Sequence, residues 1–154
     1  MDDGPTVGKF CLIANTAKFG NNVTIKNYAC IGENTEIGSN CTIGSYNEIR
    51  DGCKLGDNVS TGSRCTLSAN TIVGNNVIMK YSFVATDTPV LGSDEKSTNI
   101  IEDGAMFGAN VTIMPGVRIG KNSIVGACSQ VRHDVPPNEV WYGNPAHFFK
   151  GRGQ

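Results

Sequence analysis

The sequence predicts an all-β fold, a single parallel β-helix, and three observations predict it. Every sixth residue from Val7 to Met79 is apolar except Thr61: Val7, Ile13, Phe19, Ile25, Ile31, Ile37, Ile43, Ile49, Leu55, Leu67, Val73 and Met79. Four places after each comes a second row of mostly small or apolar residues, among them Cys11, Ala17, Val23, Ala29, Cys41, Cys53, Val59, Cys65, Val77 and Phe83. No proline falls between Val7 and Val84, as expected where each backbone amide pairs with a neighbouring coil. A period of six fits neither a helix at about 3.6 nor an isolated strand at about 2. It fits a short strand and a turn, repeated, with side chains turned inward at the first and fifth places.

The first run of coils spans 7–84. Glycine follows many of the markers and asparagine often stands two places later, as in IGSNCT (37–42) and VGNNVI (73–78). Both residues accept positive φ at low cost, which suits a turn. The clock then pauses: Met79 to Ile101 is 22 residues, not a multiple of six, so 85–100 (ATDTPVLGSDEKSTNI) leaves the coil as a loop. A loop longer than about 12 residues points to function. Coils resume over 101–135, marked by Ile101, Phe107, Ile113, Ile119, Val125 and Val131. Residues 136–154 gather Trp141, Tyr142, Phe148 and Phe149 and read as a cap over the open coil end. One domain, 1–154, is expected.

Asn47 falls on an inward place between Ala29 and Cys65 of the same column, so its amide is expected to bond to coil backbone near a turn. Cys11, Cys41, Cys53 and Cys65 also fall inward, as small fillers. Cys11 and Cys65 would lie three coils apart, about 14 Å at ~4.8 Å per coil, beyond disulfide reach. Free thiols, with no apolar stretch approaching the ~20 residues of a membrane span, lead to a cytoplasmic expectation with no membrane partner. The net charge of −1 argues against nucleic acid as a partner. Within it, Arg118, Lys121, Arg132, Lys150 and Arg152 outnumber Asp134 and Glu139 over 104–154. That basic third suits a phosphate-bearing ligand, or is solvated surface.

The stretch FGANVTIMPGVRIGKNSIVGACSQVRHDVPPNEVWYGNPA, Phe107 to Ala146, resembles the hexapeptide acyltransferase superfamily, with Cys128 where its VGAG pattern ends in glycine. The similarity is nearest to small members that N-acetylate amino sugars on nucleotide carriers. The resemblance implies a left-handed coil, a homotrimer, acetyl-CoA as acyl donor and a nucleotide-linked amino sugar as acceptor; no CxxC pair suggests a metal site, so no metal is expected. It also implies that Gly108, Ala109, Gly126 and Ala127 hold the pantetheine arm, with Arg132 and His133 toward the phosphates. Ordinary turn chemistry is the alternative explanation for each of those residues. The γ-type carbonic anhydrases share the fold but need three histidines, and this chain has two.

Acyl transfer requires proton removal from the nucleophile and stabilisation of an oxyanion. Many relatives place a histidine in or near the interrupting loop. Here His133 and His147 both lie elsewhere. The loop entrance, FVATDTP (83–89), departs from the F-T-N-D-like stretch of amino-sugar N-acetyltransferases and carries its aspartate one place late. Asp87 is accordingly the expected catalytic acid–base or orienting group; a turn-initiating aspartate before Thr88-Pro89 is the alternative. O-acetylation of a sugar hydroxyl and a non-catalytic scaffold are the competing functions.

Overall fold

A computed structural model describes residues 4–153. Strands are numbered β1 to β22 in chain order. β1 (Thr6–Val7), β2 (Leu12–Ile13) and β3 (Lys18–Phe19) form the first coil, and each begins one of three parallel sheets. Partners recur every 18 residues, so Val7 pairs with Ile25 and Ile13 with Ile31. The described residues contain no helix, and the stacked sheets form a β-solenoid of about eight turns, consistent with a left-handed β-helix. Among the described residues no helix is long and apolar enough to cross a membrane.

Both inward rows reach the core. Ile25, Ile43, Ile49, Leu67, Ile113 and Ile119 are buried from the first places, and Val23, Val59, Val77 and Val111 from the fifth. Asn47 is buried as well; its Nδ2 donates to the Gly62 carbonyl at 2.7 Å and the Ser45 carbonyl at 3.3 Å. Its Oδ1 accepts from Thr61 Oγ1 at 2.5 Å, which explains the one polar marker in the first run. Cys41, Cys53 and Cys65 are buried free thiols, whereas Cys11 is only partly covered.

The excursion is tighter than the hexad count gives. Ala85 belongs to β14 (Val84–Ala85) and pairs with Leu67 and Ile113, while Ile100 belongs to β15 (Ile100–Ile101). Residues 86–99 thus lie outside the strands, and Ile72 pairs with Ile100 across 28 residues where other coils take 18. Ala85 is a small marker, and its coil compensates with Phe83, whose ring lies 4.7 Å from that of Phe107. Exchanging volume between neighbouring inward places keeps the core filled.

Two of the corners differ in how they turn. Beyond the third sheet the left-handed residue is Asn22, Asn40, Asn58, Asn76, Gly104 or Asn122. Beyond the first sheet it is Phe10, Tyr28, Tyr46, Arg64, Ser82, Asn110 or Cys128. Bulky residues are costly at positive φ. Phe10, Tyr28 and Tyr46 offset part of that by stacking, with ring centroids 5.3 and 4.9 Å apart.

At the far end β21 (Glu139–Gly143) joins the first sheet beside Ile124–Val125, and β22 (Ala146–Gly151) folds back antiparallel on it. Arg152 Nη1 donates to the Asn122 carbonyl at 2.8 Å and tethers the hairpin's end to the third corner.

Candidate active site

The excursion leaves the coil at the second corner, after Val84–Ala85, and its neck is closed by hydrogen bonds. Thr86 stays on the coil, its N–H and Oγ1 both donating to the Ile113 carbonyl. Across the neck, Ser97 N–H donates to the Asp87 carbonyl at 2.7 Å. Asn99 is fully buried, with Nδ2 donating to Thr86 O and Oδ1 accepting from the Val117 N–H, each at 2.9 Å. The ten inserted residues therefore rise from a pinned base.

Against that base lies a cavity of about 580 Å³, lined by residues from the coil and from the loop. Thr66, Ser68, Thr86 and Thr88 supply hydroxyls, and Val84, Leu91, Met114 and Pro115 supply apolar wall. Its charged groups are Asp87, Lys96 and Arg50. Arg50 is paired loosely with Glu48, at 3.6 Å and with both side chains more than half exposed, so that pair contributes little. Asp87 is the least exposed of the charged groups, its side chain 23% accessible. Its Oδ1 accepts from Thr88 Oγ1 at 3.0 Å and meets Lys96 Nζ at 3.4 Å.

The remaining residues expected at the site divide between two corners. Gly108–Ala109 lies directly over Gly126–Ala127 at the first corner. There a Cβ on Gly108 would come within 2.6 Å of the Ala127 nitrogen, so glycine is required by coil stacking itself. Likewise a Cβ on Gly126 would press on Tyr142. Arg132 and His133 are exposed at the second corner, two coils beyond Asp87, and Arg132 Nε donates to Gln130 Oε1 at 2.7 Å. None of these six residues lines the Asp87 cavity. Lys96 and Arg50, which do line it, were not singled out from the sequence. Lysine within a run of loop charges reads as solvated, and Arg50 reaches the cavity from a turn two coils earlier.

Among the described residues no group of three histidine, cysteine, aspartate or glutamate side chains could hold a metal ion. Three thiols are deeply set: burial pushes the Cys53 thiol up to about 11 and raises Cys41 and Cys65 as well. Cys30 and Cys128 are exposed.

Comparison with known proteins agrees with this architecture. A galactoside O-acetyltransferase of Lactococcus lactis is 44% identical over 62 residues, which is 40% of this chain and 30% of that protein. A 2,3,4,5-tetrahydropyridine-2,6-dicarboxylate N-acetyltransferase of Clostridium perfringens is 48% identical over 61 residues, 40% of this chain and 26% of that protein. The chain thus spans less than a third of the length of these curated relatives. Among solved structures, a mutant of AntD, an N-acyltransferase from Bacillus cereus in complex with dTDP and coenzyme A, superposes with TM-score 0.65. It is 21% identical, over 97% of this chain and 84% of that one, and shares the fold. The bacterial transferase hexapeptide (six repeats) description matches residues 16–51, 34–69 and 100–133. With more than half of the chain matched and the coil it describes in place, this protein belongs to the bacterial transferase hexapeptide family.

Proposed function

We propose that this chain is an acyl-CoA-dependent acetyltransferase that N-acetylates an amino sugar carried on a nucleotide. The observation that carries the proposal is the cavity at the loop base, where the half-covered carboxylate of Asp87 meets hydroxyls and apolar wall. Family membership and relatives named as acetyltransferases support the reaction class. The likeness to AntD, an N-acyltransferase solved with dTDP and coenzyme A, supports the fold that such chemistry uses.

In the proposed reaction the acceptor amine attacks the thioester carbonyl, the C–N bond forms and the C–S bond breaks. Coenzyme A leaves as the thiolate, and the proton lost by nitrogen passes to Asp87 and on to the departing sulfur. Gly108, Ala109, Gly126 and Ala127 would flank the pantetheine arm along the first corner, and Arg132 and His133 would lie toward its phosphates. Asp87 and the glycine corner occupy different edges of the solenoid. A homotrimer would complete the site, by setting one copy's loop cavity against a neighbour's glycine corner. Use of acyl-CoA and the free thiols favour a cytoplasmic setting.

O-acetylation of a sugar hydroxyl is the second reading, favoured by the 44% identity to a galactoside O-acetyltransferase. The test is release of coenzyme A thiol from acetyl-CoA in the presence of nucleotide-linked amino sugars and, separately, of galactosides. Thiol release with amines alone supports the first reading, and release with hydroxyl acceptors alone supports the second. No release with either acceptor class rejects both.

A further inference from the structure

We propose that Lys96 is a positioning residue that orients Asp87 for the transfer, an inference that rests on the Asp87 reading above. The backbone delivers the two side chains to each other. Ser97 N–H pairs with the Asp87 carbonyl at 2.7 Å, which brings the preceding residue, Lys96, alongside Asp87 across the neck. Lys96 Nζ donates to Thr88 Oγ1 at 2.7 Å and lies 3.4 Å from Asp87 Oδ1, while Thr88 Oγ1 donates to that same oxygen at 3.0 Å. The three groups close a triangle within the cavity wall.

Both donors converge on Oδ1, and Oδ2 accepts from neither. The triangle therefore fixes the carboxylate's rotation and leaves its second oxygen for an acceptor N–H. A carboxylate so held needs no reorganisation as the amine arrives, which is where positioning contributes to rate. Other charges nearby do not substitute. Arg50, on a turn two coils earlier, meets Glu48 rather than Asp87, and Asp94 and Glu95 are exposed on the outer part of the loop. Lys96 is itself more than half exposed, so its removal leaves the core intact.

The test compares Lys96→Met, Lys96→Gln, Thr88→Val and the Lys96→Met/Thr88→Val pair with Asp87→Asn. The readouts are kcat, KM for acetyl-CoA and thermal midpoint, with the acceptor that supports coenzyme A release. The expected result is a fall in kcat of about tenfold or more in Lys96→Met, with KM for acetyl-CoA held within about twofold. The pair should fall little further than Lys96→Met alone, because both changes release the same carboxylate. Gln, a neutral donor, should retain more activity than Met. If Asp87→Asn is impaired while Lys96→Met and Lys96→Gln turn over like the unaltered protein, the Lys96 proposal is overturned and the Asp87 reading stands. If Asp87→Asn is itself unimpaired, both fall together. A loss in Lys96→Met that appears wholly as raised KM for acetyl-CoA also overturns it, since that marks lost donor binding.

Discussion

Asn99 Nδ2 donates to the Thr86 carbonyl at 2.9 Å, joining the two ends of the excursion through a side chain that is itself fully buried. The same amide accepts the Val117 N–H, so one residue satisfies backbone groups of two successive coils. Replacing Asn99 with Leu strands both backbone groups in the core. The expected cost is about 2–3 kcal/mol, or roughly 5–10 °C in thermal midpoint. Faster proteolytic cleavage within 86–99 should accompany it. Circular dichroism melting and limited proteolysis check both, and an unshifted midpoint would show that the neck closes without this amide.

The carboxylate at the cavity is the most direct chemical prediction. Asp87→Asn keeps the shape and the Thr88 contact but removes the proton acceptor. Turnover should fall about 100-fold or more, with acetyl-CoA binding retained. Steady-state kinetics with calorimetry on the same variant separates the two effects. Unchanged kcat/KM would make Asp87 a turn residue.

Thr61 and Asn47 form a buried pair, Thr61 Oγ1 donating to Asn47 Oδ1 at 2.5 Å. Thr61→Val should destabilise the protein by about 1–2 kcal/mol, because it leaves a buried acceptor unpaired. In an Asn47→Val background the same change should cost less, giving a coupling of about 0.5 kcal/mol or more. Urea unfolding of the four proteins measures it; strict additivity would deny the bond an energetic role.

Arg64 turns its corner at φ 61° without a place in the aromatic stack above it. Asparagine is the residue the third corner uses for that turn, as at Asn40 and Asn58. Arg64→Asn should therefore raise stability by about 0.5–1 kcal/mol, since a long side chain in this region costs about 1–2 kcal/mol. Tyr28→Asn relieves the same strain but breaks two ring contacts, so it should not show that gain. Paired thermal melts compare the two.

The buried thiols set an alkaline limit. Burial raises Cys53 from 9.0 to about 11, and Cys41 and Cys65 move in the same direction. Unfolded chains lose these protons near the ordinary value while the folded protein keeps them. The stability they contribute is whole below pH 9 and is lost as pH rises toward 11. Urea midpoints at pH 8, 10 and 11 should decline. A thiol reagent at pH 8 should modify Cys30 and Cys128 well before the three buried thiols.

The coil was legible in the sequence because its inward places are set by a strict six-residue spacing that few polar residues interrupt. Where polar residues do stand inward, legibility was uneven. Asn47 showed through the register around it, but Asn99 did not, because it lies at the edge of an excursion where the count had stopped. Ala85 is hidden from the count for a related reason. A small residue gives a weak marker, and Phe83, which fills its volume, lies in the other row. Asp87 could be found from its place at the coil exit. Lys96 and Arg50 could not, since what brings them to Asp87 is the pairing of the loop neck and the stacking of coils. The family resemblance points to Gly108 and Ala127, but it does not separate ligand contact from the close packing that forbids a Cβ at Gly108.

The measurement that bears most directly on the central claim is calorimetric titration with acetyl-CoA, before any acceptor is chosen. An acyl-CoA-dependent transferase should bind it saturably, at about one site per chain, and a bulky substitution of the exposed Ala127 should weaken that binding. Absence of binding at millimolar acetyl-CoA would contradict the transferase account and leave the coil as a scaffold.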